Sequence, residues 1–600
     1  MSKIMTRSEV PEHLKWDLKD LFQTNEAWEE ELQAVQSDVK KVTQFKGTLG
    51  DGPKQLLGCL TALEDIQKRL TYVATYANLR LSEDGSNAKS QANSSRVASM
   101  LSSVEAALSF LDTEILALPE GTIEKYIQEE PALKSFEKHL NERLEKKPHT
   151  LSPETELALA SLGEVLGSPY KTYQLSKSSD MVFSTFKDEK GQDIPLSFAT
   201  FEDRYELSPN TTVRRNAYQS FVKTLKQYEN TFASTYSTEI KKQVTLSRLR
   251  NYDSVTEMLL QPQQVTEQMY NNQLDIIQEE LAPHMRRFAK LKQRVLGLDK
   301  MMFCDLKAPL DPEFNPPTTI EEASKVIQEA LQILGPEYSE IMKKGLNDGW
   351  IDYAENYGKS TGAFCASPYG IHPYILITWT DTMRGAFILA HELGHAGHFY
   401  LAGGNQRLTN TRPSLYFIEA PSTMNELILG KHLLAKTDDK RMKRWVLLQF
   451  LGTYYHNFVT HLLEGELQRE IYRIAESGQP ITASTLSKTK GDILANFWGD
   501  AVEIDEGASL TWMRQPHYYM GLYPYTYSAG LTASTAVAQL IEEEGQSAID
   551  RWIEVLKMGG TKKPLELLKH AGVDMSTPEP IRKAVAFVGS LVDELEKSYE

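Results

Sequence analysis

The stretch Met383-Arg-Gly-Ala-Phe-Ile-Leu-Ala-His391-Glu-Leu-Gly-His395-Ala-Gly-His398-Phe-Tyr-Leu401 carries both a helical pattern and a chemical one. Its apolar residues recur at three-to-four spacing, Thr380-Asp-Thr382 offers an N-cap before it and Gly403-Gly404 a stop after it, so a helix from about 383 to 401 is expected. Within it, four residues separate His391 from His395, an advance of about 400° that returns both imidazoles to one face, one turn apart. Two nitrogens can then meet one ion. Zinc suits neutral imidazole and a catalytic site with three protein ligands and one open position. Glu392 lies about 100° around the helix from His391, beside the ion rather than on it, where it can take a proton from an attacking water.

Two residues compete for the third ligand position. His398 shares the face but sits about 10.5 Å along the axis from His391, too far for one ion to reach all three imidazoles at about 2.1 Å, so a supporting or cleft-lining place is expected for it. Glu419, in Phe417-Ile-Glu-Ala-Pro-Ser-Thr-Met-Asn-Glu426, opens a second helical pattern that can pack against the first. Ser422 and Glu426 follow Glu419 at i+3 and i+7, on the face from which they can orient the ligating imidazoles.

Upstream, Ile351 to Cys365 and Tyr374-Ile-Leu-Ile-Thr-Trp379 are rich in β-branched and aromatic residues and predict a small sheet beside the metal helix. An extended peptide can add to such a sheet's edge, which makes Gly362, Ala363 and Phe364 candidate substrate-binding residues. Almost everything else is helical in pattern. Leu57, Leu60, Leu63, Ile66 and Leu70 typify the first part, with turns at Gly47 to Pro53 and Glu83 to Asn87. Met181 to Pro195 predicts a β-hairpin, and long helices resume after Pro209-Asn210. The fold class is mainly α, and three regions are expected at 1–110, 111–200 and 201–600.

Composition narrows the partners. Of 600 residues, 41% are hydrophobic and 24% charged, an ordinary globular balance. With 65 basic against 81 acidic residues the net charge is −16, which disfavours nucleic acid. Cys59, Cys304 and Cys365 are too few and scattered for a disulfide framework, and a reducing cytoplasm fits them best. Neither a signal peptide nor a membrane span is expected, since even Trp445 to Leu463 is broken by Gln449, His456, Asn457, Thr460 and His461.

His391-Glu-Leu-Gly-His395 followed by Glu419-Ala-Pro-Ser resembles the oligoendopeptidase F branch of the thimet oligopeptidase family of zinc metallopeptidases, and the likeness covers most of the chain. The resemblance implies a large helical zincin-like body with a deep substrate channel, one zinc ion per chain, and internal cleavage of short unfolded peptides. It makes His391, His395 and Glu419 the metal ligands and Glu392 the base. His517-Tyr-Tyr-Met-Gly-Leu-Tyr523-Pro-Tyr525-Thr-Tyr527 resembles the family's His-Tyr and Tyr-x-Tyr element. By position this makes Tyr525 the oxyanion donor, with Tyr518 and His517 assisting; Tyr519 and Tyr527 are expected to pack in the core. The alternative activity is a metallo-carboxypeptidase, which needs a cation for the free C-terminus; Arg514 is the available one.

Overall fold

In the computed structural model, which describes residues 5–600, the first helices follow the predicted turns: α1 (Asn25–Asp38), α2 (Pro53–Glu83) and α3 (Ala88–Leu108). Thr24 caps α1 by accepting from the Ala27 amide at 3.2 Å, satisfying one of the free N–H groups at its start. Leu60, Leu63, Ile66 and Leu70 form the buried face of α2, and Trp28 of α1 is buried against it with its indole N–H donated to the Val73 carbonyl. The core these helices share runs on through Leu111, Ile115, Ile123, Leu133 and Phe136 to Leu140. It does not stop at the expected boundary of 110, because the short helices after α3 fold back onto the same apolar face.

A second, larger core gathers buried side chains from Tyr173 to Leu595. It takes in the predicted hairpin, β1 (Phe186–Lys187) paired antiparallel with β2 (Asp193–Ile194), and the 39-residue helix α4 (Thr211–Leu249). Thus the expected 111–200 region is shared between two cores.

The two cores meet across a three-stranded sheet of β3 (Ile351–Asp352), β4 (Phe364–Ala366) and β5 (Tyr374–Leu376), in the order β3-β5-β4. β3 is parallel to β5 and β4 antiparallel, with Cys365 opposite Ile375. Successive strand side chains face opposite ways. Tyr374 and Leu376 therefore enter the first core, and Ile375 and Ile377 the second. A sheet covered on both faces accounts for the continuous apolar run Tyr374-Ile-Leu-Ile. Elsewhere the two parts are tied by polar contacts, Arg407 to Glu64 at 2.6 Å and Lys563 to Glu145 at 2.8 Å.

Behind the sheet lies α5 (Met383–Asn405), followed by α6 (Ala420–Lys436), α7 (Lys440–Tyr454), α8 (His461–Glu476), α9 (Pro524–Glu544) and α10 (Glu579–Ser598). α5 runs through Gly403 and Gly404 rather than stopping at them; both keep helical backbone, and the chain leaves the helix at Gln406 in an extended conformation. Among the described residues no helix is long and apolar enough to cross a membrane.

Candidate active site

The centre is built where α6 crosses α5. A Cβ on Gly394, in the middle of the His-Glu-x-x-His stretch, would lie 2.5 Å from the Pro421 carbonyl oxygen and 2.6 Å from Ser422 Cα, so only glycine lets the two backbones come this close. The approach brings Glu419, at the junction before α6, over the two histidines. Its Oε2 lies 3.4 Å from His391 Nε2 and 3.4 Å from His395 Nε2. One ligand atom from each of the three residues falls within 4.8 Å of the others. Their side chains are 27%, 13% and 18% exposed for His391, His395 and Glu419, open enough on one side for a substrate to reach.

Supporting contacts fix this geometry. Glu426, two turns along α6, meets His391 Nδ1 through Oε1 at 2.6 Å, while its Oε2 accepts from Thr453 on α7 at 3.2 Å. Ser422 donates to Glu419 Oε2 at 3.0 Å, so it orients the carboxylate and not an imidazole as expected. Asn425 was not picked out by sequence reasoning; it donates to the Ala390 carbonyl at 3.1 Å and accepts from Tyr338 at 3.0 Å, pinning α6 to α5.

The electrostatics call for a cation. Burial is the main cause that pushes the Glu392 carboxyl above its usual pKa. Burial opposes charge on Glu419 too, but His391 and His395 outweigh it and hold that carboxyl well below the usual range. At His391, burial favours the neutral ring, yet Glu419 and Glu426 hold its pKa well above normal. Among the described residues no lysine or arginine is ion-paired with Glu419 or Glu426. Two imidazoles and one carboxylate, with two further carboxylates close by, form a donor set that fits a divalent transition metal.

His398 is not part of this group. It is fully buried between Phe399 and Phe417, neither ring nitrogen has a hydrogen-bond partner, and burial pushes its pKa down to about 3. It is a packed core residue, neither ligand nor cleft lining.

The tyrosine assignment also changes. α9 begins at Pro524, and residues 525 and 527 point about 200° apart around it, so both cannot face the metal cluster. Tyr525 is 0% exposed, packs edge-on against Tyr270, and donates to Gln263 Oε1 at 2.6 Å. Tyr527 is the one on the cleft side. Gly530, three residues on and on the same face, sits so close to Glu419 that a Cβ there would lie 2.8 Å from Glu419 Cβ. Tyr523, one turn before Tyr527, joins it with ring centroids 5.3 Å apart. Burial, with the Glu419 charge contributing, raises the pKa of both phenols, so both keep their protons for donation. The spacing of Tyr527 to Gly530 was the available signal, but its meaning depended on knowing that α9 touches Glu419.

His517 lies on the turn Pro516–Tyr519 and faces Tyr523 and Tyr527 at 5.3 and 5.7 Å. Tyr518 does not line the cleft; it is buried against Tyr236, and the half-buried Tyr519 stacks on Tyr173. Arg514 is buried and committed to Glu206 and Glu202 at 2.9 to 3.1 Å, which leaves no free donor pair for a substrate C-terminus. Of the strand candidates, Phe364 starts β4 and leans toward Trp16, whereas Gly362 and Ala363 form the exposed turn before it. β4 is one of the two outer strands, and burial, with the Glu392 charge adding to it, pushes the pKa of the Cys365 thiol on this strand up. A cavity of about 760 Å³ lies beyond the end of β4, lined by Ser367, Tyr369, Phe399 and Arg412. Another of about 1010 Å³, beside Trp16 and Trp350, contains none of the metal cluster.

Comparison with known proteins places the chain in a family. The sequence profile of peptidase family M3 matches residues 204–587, and a profile described as oligopeptidase F matches residues 114–183. Oligopeptidase PepF of Bacillus subtilis is 34% identical over 596 residues, spanning 99% of this chain and 89% of the relative. Group B oligopeptidase PepB of Streptococcus agalactiae is 29% identical over 98% of each chain. The crystal structure of oligoendopeptidase-F from Enterococcus faecium superposes with a TM-score of 0.76 at 28% identity, covering 96% of this chain and 99% of that one. On a profile that spans more than half the chain and a relative above 30% identity along nearly all of it, the protein belongs to peptidase family M3.

Proposed function

We propose that the protein is a zinc-dependent endopeptidase that cleaves internal bonds of short, unfolded peptides in the cytoplasm. The observation that carries this reading is the convergence of His391, His395 and Glu419 with Glu392 on the neighbouring turn of α5. A zinc ion held by those three side chains would polarise the scissile carbonyl and make the attacking water more acidic. Glu392 takes the proton from that water and passes it to the leaving amine, a shuttle suited to a carboxyl whose pKa is raised. The Tyr527 phenol, with Tyr523 beside it, donates to the carbonyl oxygen as negative charge develops there.

The free edge of β4 gives the peptide backbone a ladder to join, which places the scissile bond by register rather than by side-chain identity. The helices of the first core, tied to the catalytic body through Glu64 and Glu145, serve as a roof that admits a flexible chain and excludes a folded one. Three free cysteines fit a reducing compartment. A carboxypeptidase needs an unpaired cation for the substrate terminus, and Arg514 is already saturated by Glu202 and Glu206.

The test is mass spectrometry of a peptide blocked at both ends, incubated with and without a chelator. Chelator-sensitive internal cleavage is expected. Release of C-terminal residues from the unblocked peptide alone would reject the endopeptidase reading. Glu392→Gln should retain the metal and lose at least about 100-fold in kcat, and an active Glu392→Gln enzyme would remove Glu392 as the base.

A further inference from the structure

α7 and α8 are not joined by a loop. A π-helical turn, Tyr455–Thr460, continues one into the other, a widening of the helix that recurs at functional sites. It carries His456 and turns His461 inward. His461 and Glu464, one turn apart on α8, are both buried, with His461 Nδ1 2.8 Å from Glu464 Oε2. His461 Nε2 lies 3.0 Å from His456 Nε2. His517 arrives from the turn Pro516–Tyr519, and its Nδ1 is buried without a hydrogen-bond partner. One ligand atom from each of His461, Glu464 and His517 lies within 4.8 Å of the other two. The donor set, two imidazoles and one carboxylate, repeats that of His391, His395 and Glu419.

We infer that His461, Glu464 and His517 form a second site for a divalent transition-metal ion, with His456 orienting the His461 ring. An ion pair between His461 and Glu464 would by itself satisfy the charge of that carboxylate. It gives no reason for His517 to bring an unpartnered nitrogen to the same point, where one atom from each of the three side chains lies within 4.8 Å of the others. Imidazole with carboxylate suits zinc, cobalt or nickel, and with Nδ1 turned to the ion the His461 Nε2–H donates to His456 Nε2, the kind of support that fixes a ligating histidine.

The site stands behind the tyrosine wall. Tyr527 stacks on His461 at 4.2 Å with the planes 16° apart, and its phenol senses both Glu419 and Glu464. The site does not depend on the reaction proposed above.

The test is equilibrium dialysis of the intact protein against increasing cobalt(II), with bound metal counted by plasma mass spectrometry and followed by visible absorption. Two ions per chain are expected. His461→Gln and His517→Gln should each keep the first and bind the second at least 10-fold more weakly. Glu419→Gln should lose the first and keep the second, which separates this proposal from the assignment of the first centre. His517 is partly exposed on a short turn, so its variant remains informative if the buried His461 variant does not fold. Saturation of the unaltered protein at one ion, or a second ion unaffected in His517→Gln, would overturn the inference.

Discussion

Gly394→Ala adds one methyl group to the helix that carries the proposed metal ligands His391 and His395, without touching either. The new Cβ would lie 2.5 Å from the Pro421 carbonyl oxygen, 2.6 Å from Ser422 Cα and 2.9 Å from the Pro421 carbonyl carbon. All three are backbone atoms, so no side chain can swing aside. Restoring an ordinary contact of about 3.4 Å requires α5 and α6 to separate by about 0.9 Å. Overpacking of this kind costs about 1–3 kcal/mol, offset by at most about 1 kcal/mol from the better helix propensity of alanine. Stability therefore falls only modestly.

The larger effect is on the site, because the displaced backbone adjoins Glu419. Metal-ligand distances tolerate only about 0.2 Å, and a shift several times larger takes the carboxylate out of reach of the ion shared with His391 and His395. Metal affinity and kcat/KM should each fall by roughly 10- to 100-fold, with a melting temperature lowered by a few degrees. Chelator competition, hydrolysis of an internally quenched peptide and a thermal melt read the three quantities. A Gly394→Ala protein that keeps metal and kcat/KM within twofold of the unaltered enzyme would refute the claim that close helix approach sets the ligand geometry.

Tyr527→Phe should lower kcat by roughly 100- to 1000-fold with little change in KM, whereas Tyr525→Phe should leave kcat intact and cost about 1–2 kcal/mol by stranding Gln263; steady-state kinetics with the reverse pattern would return Tyr525 to the cleft. Glu426→Gln removes the charged partner of His391 Nδ1 and should weaken metal retention by roughly 10- to 100-fold, measured by chelator competition. Burial would raise the Glu206 pKa, but Arg514 and Lys307 outweigh it and bring it from 4.5 to about 2. A depressed carboxyl stabilises the fold above its unfolded pKa and loses that contribution as pH falls through the folded one. Roughly 3 kcal/mol should therefore disappear between about pH 5 and pH 2, and urea melts of Glu206→Gln should lack this dependence.

Much of the site is legible in the residues because it rests on local geometry. The 3.6-residue period alone puts His391 and His395 on one face and Glu392 beside them, and it puts Ser422 and Glu426 on the face of Glu419. The hairpin at 186–194 and the sheet near 351–376 were likewise local, written in turn residues and β-branched runs. Where expectation failed, the missing quantity was the partner of a helix face. His398 has the right rotation to join the cluster, and only the packing of Phe399 and Phe417 shows that its surroundings are dry.

Tyr525 and Tyr527 are indistinguishable as a repeated motif, since each is one phenol on the first turns of α9. Their roles divide because one face of α9 packs on Tyr270 and the other on Glu419, a contact between residues more than a hundred positions apart. The same holds for the meeting of His517 with His461 and Glu464, and for the core that crosses residue 110. Local sequence was enough for the helical class, and for the helix, base and histidine pair proposed to act at the metal, because backbone period and side-chain chemistry are properties of neighbouring residues. Tertiary structure alone decided which tyrosine faces the cleft, which histidine is excluded and where the cores divide, because burial and orientation belong to pairs of surfaces that only the fold brings together.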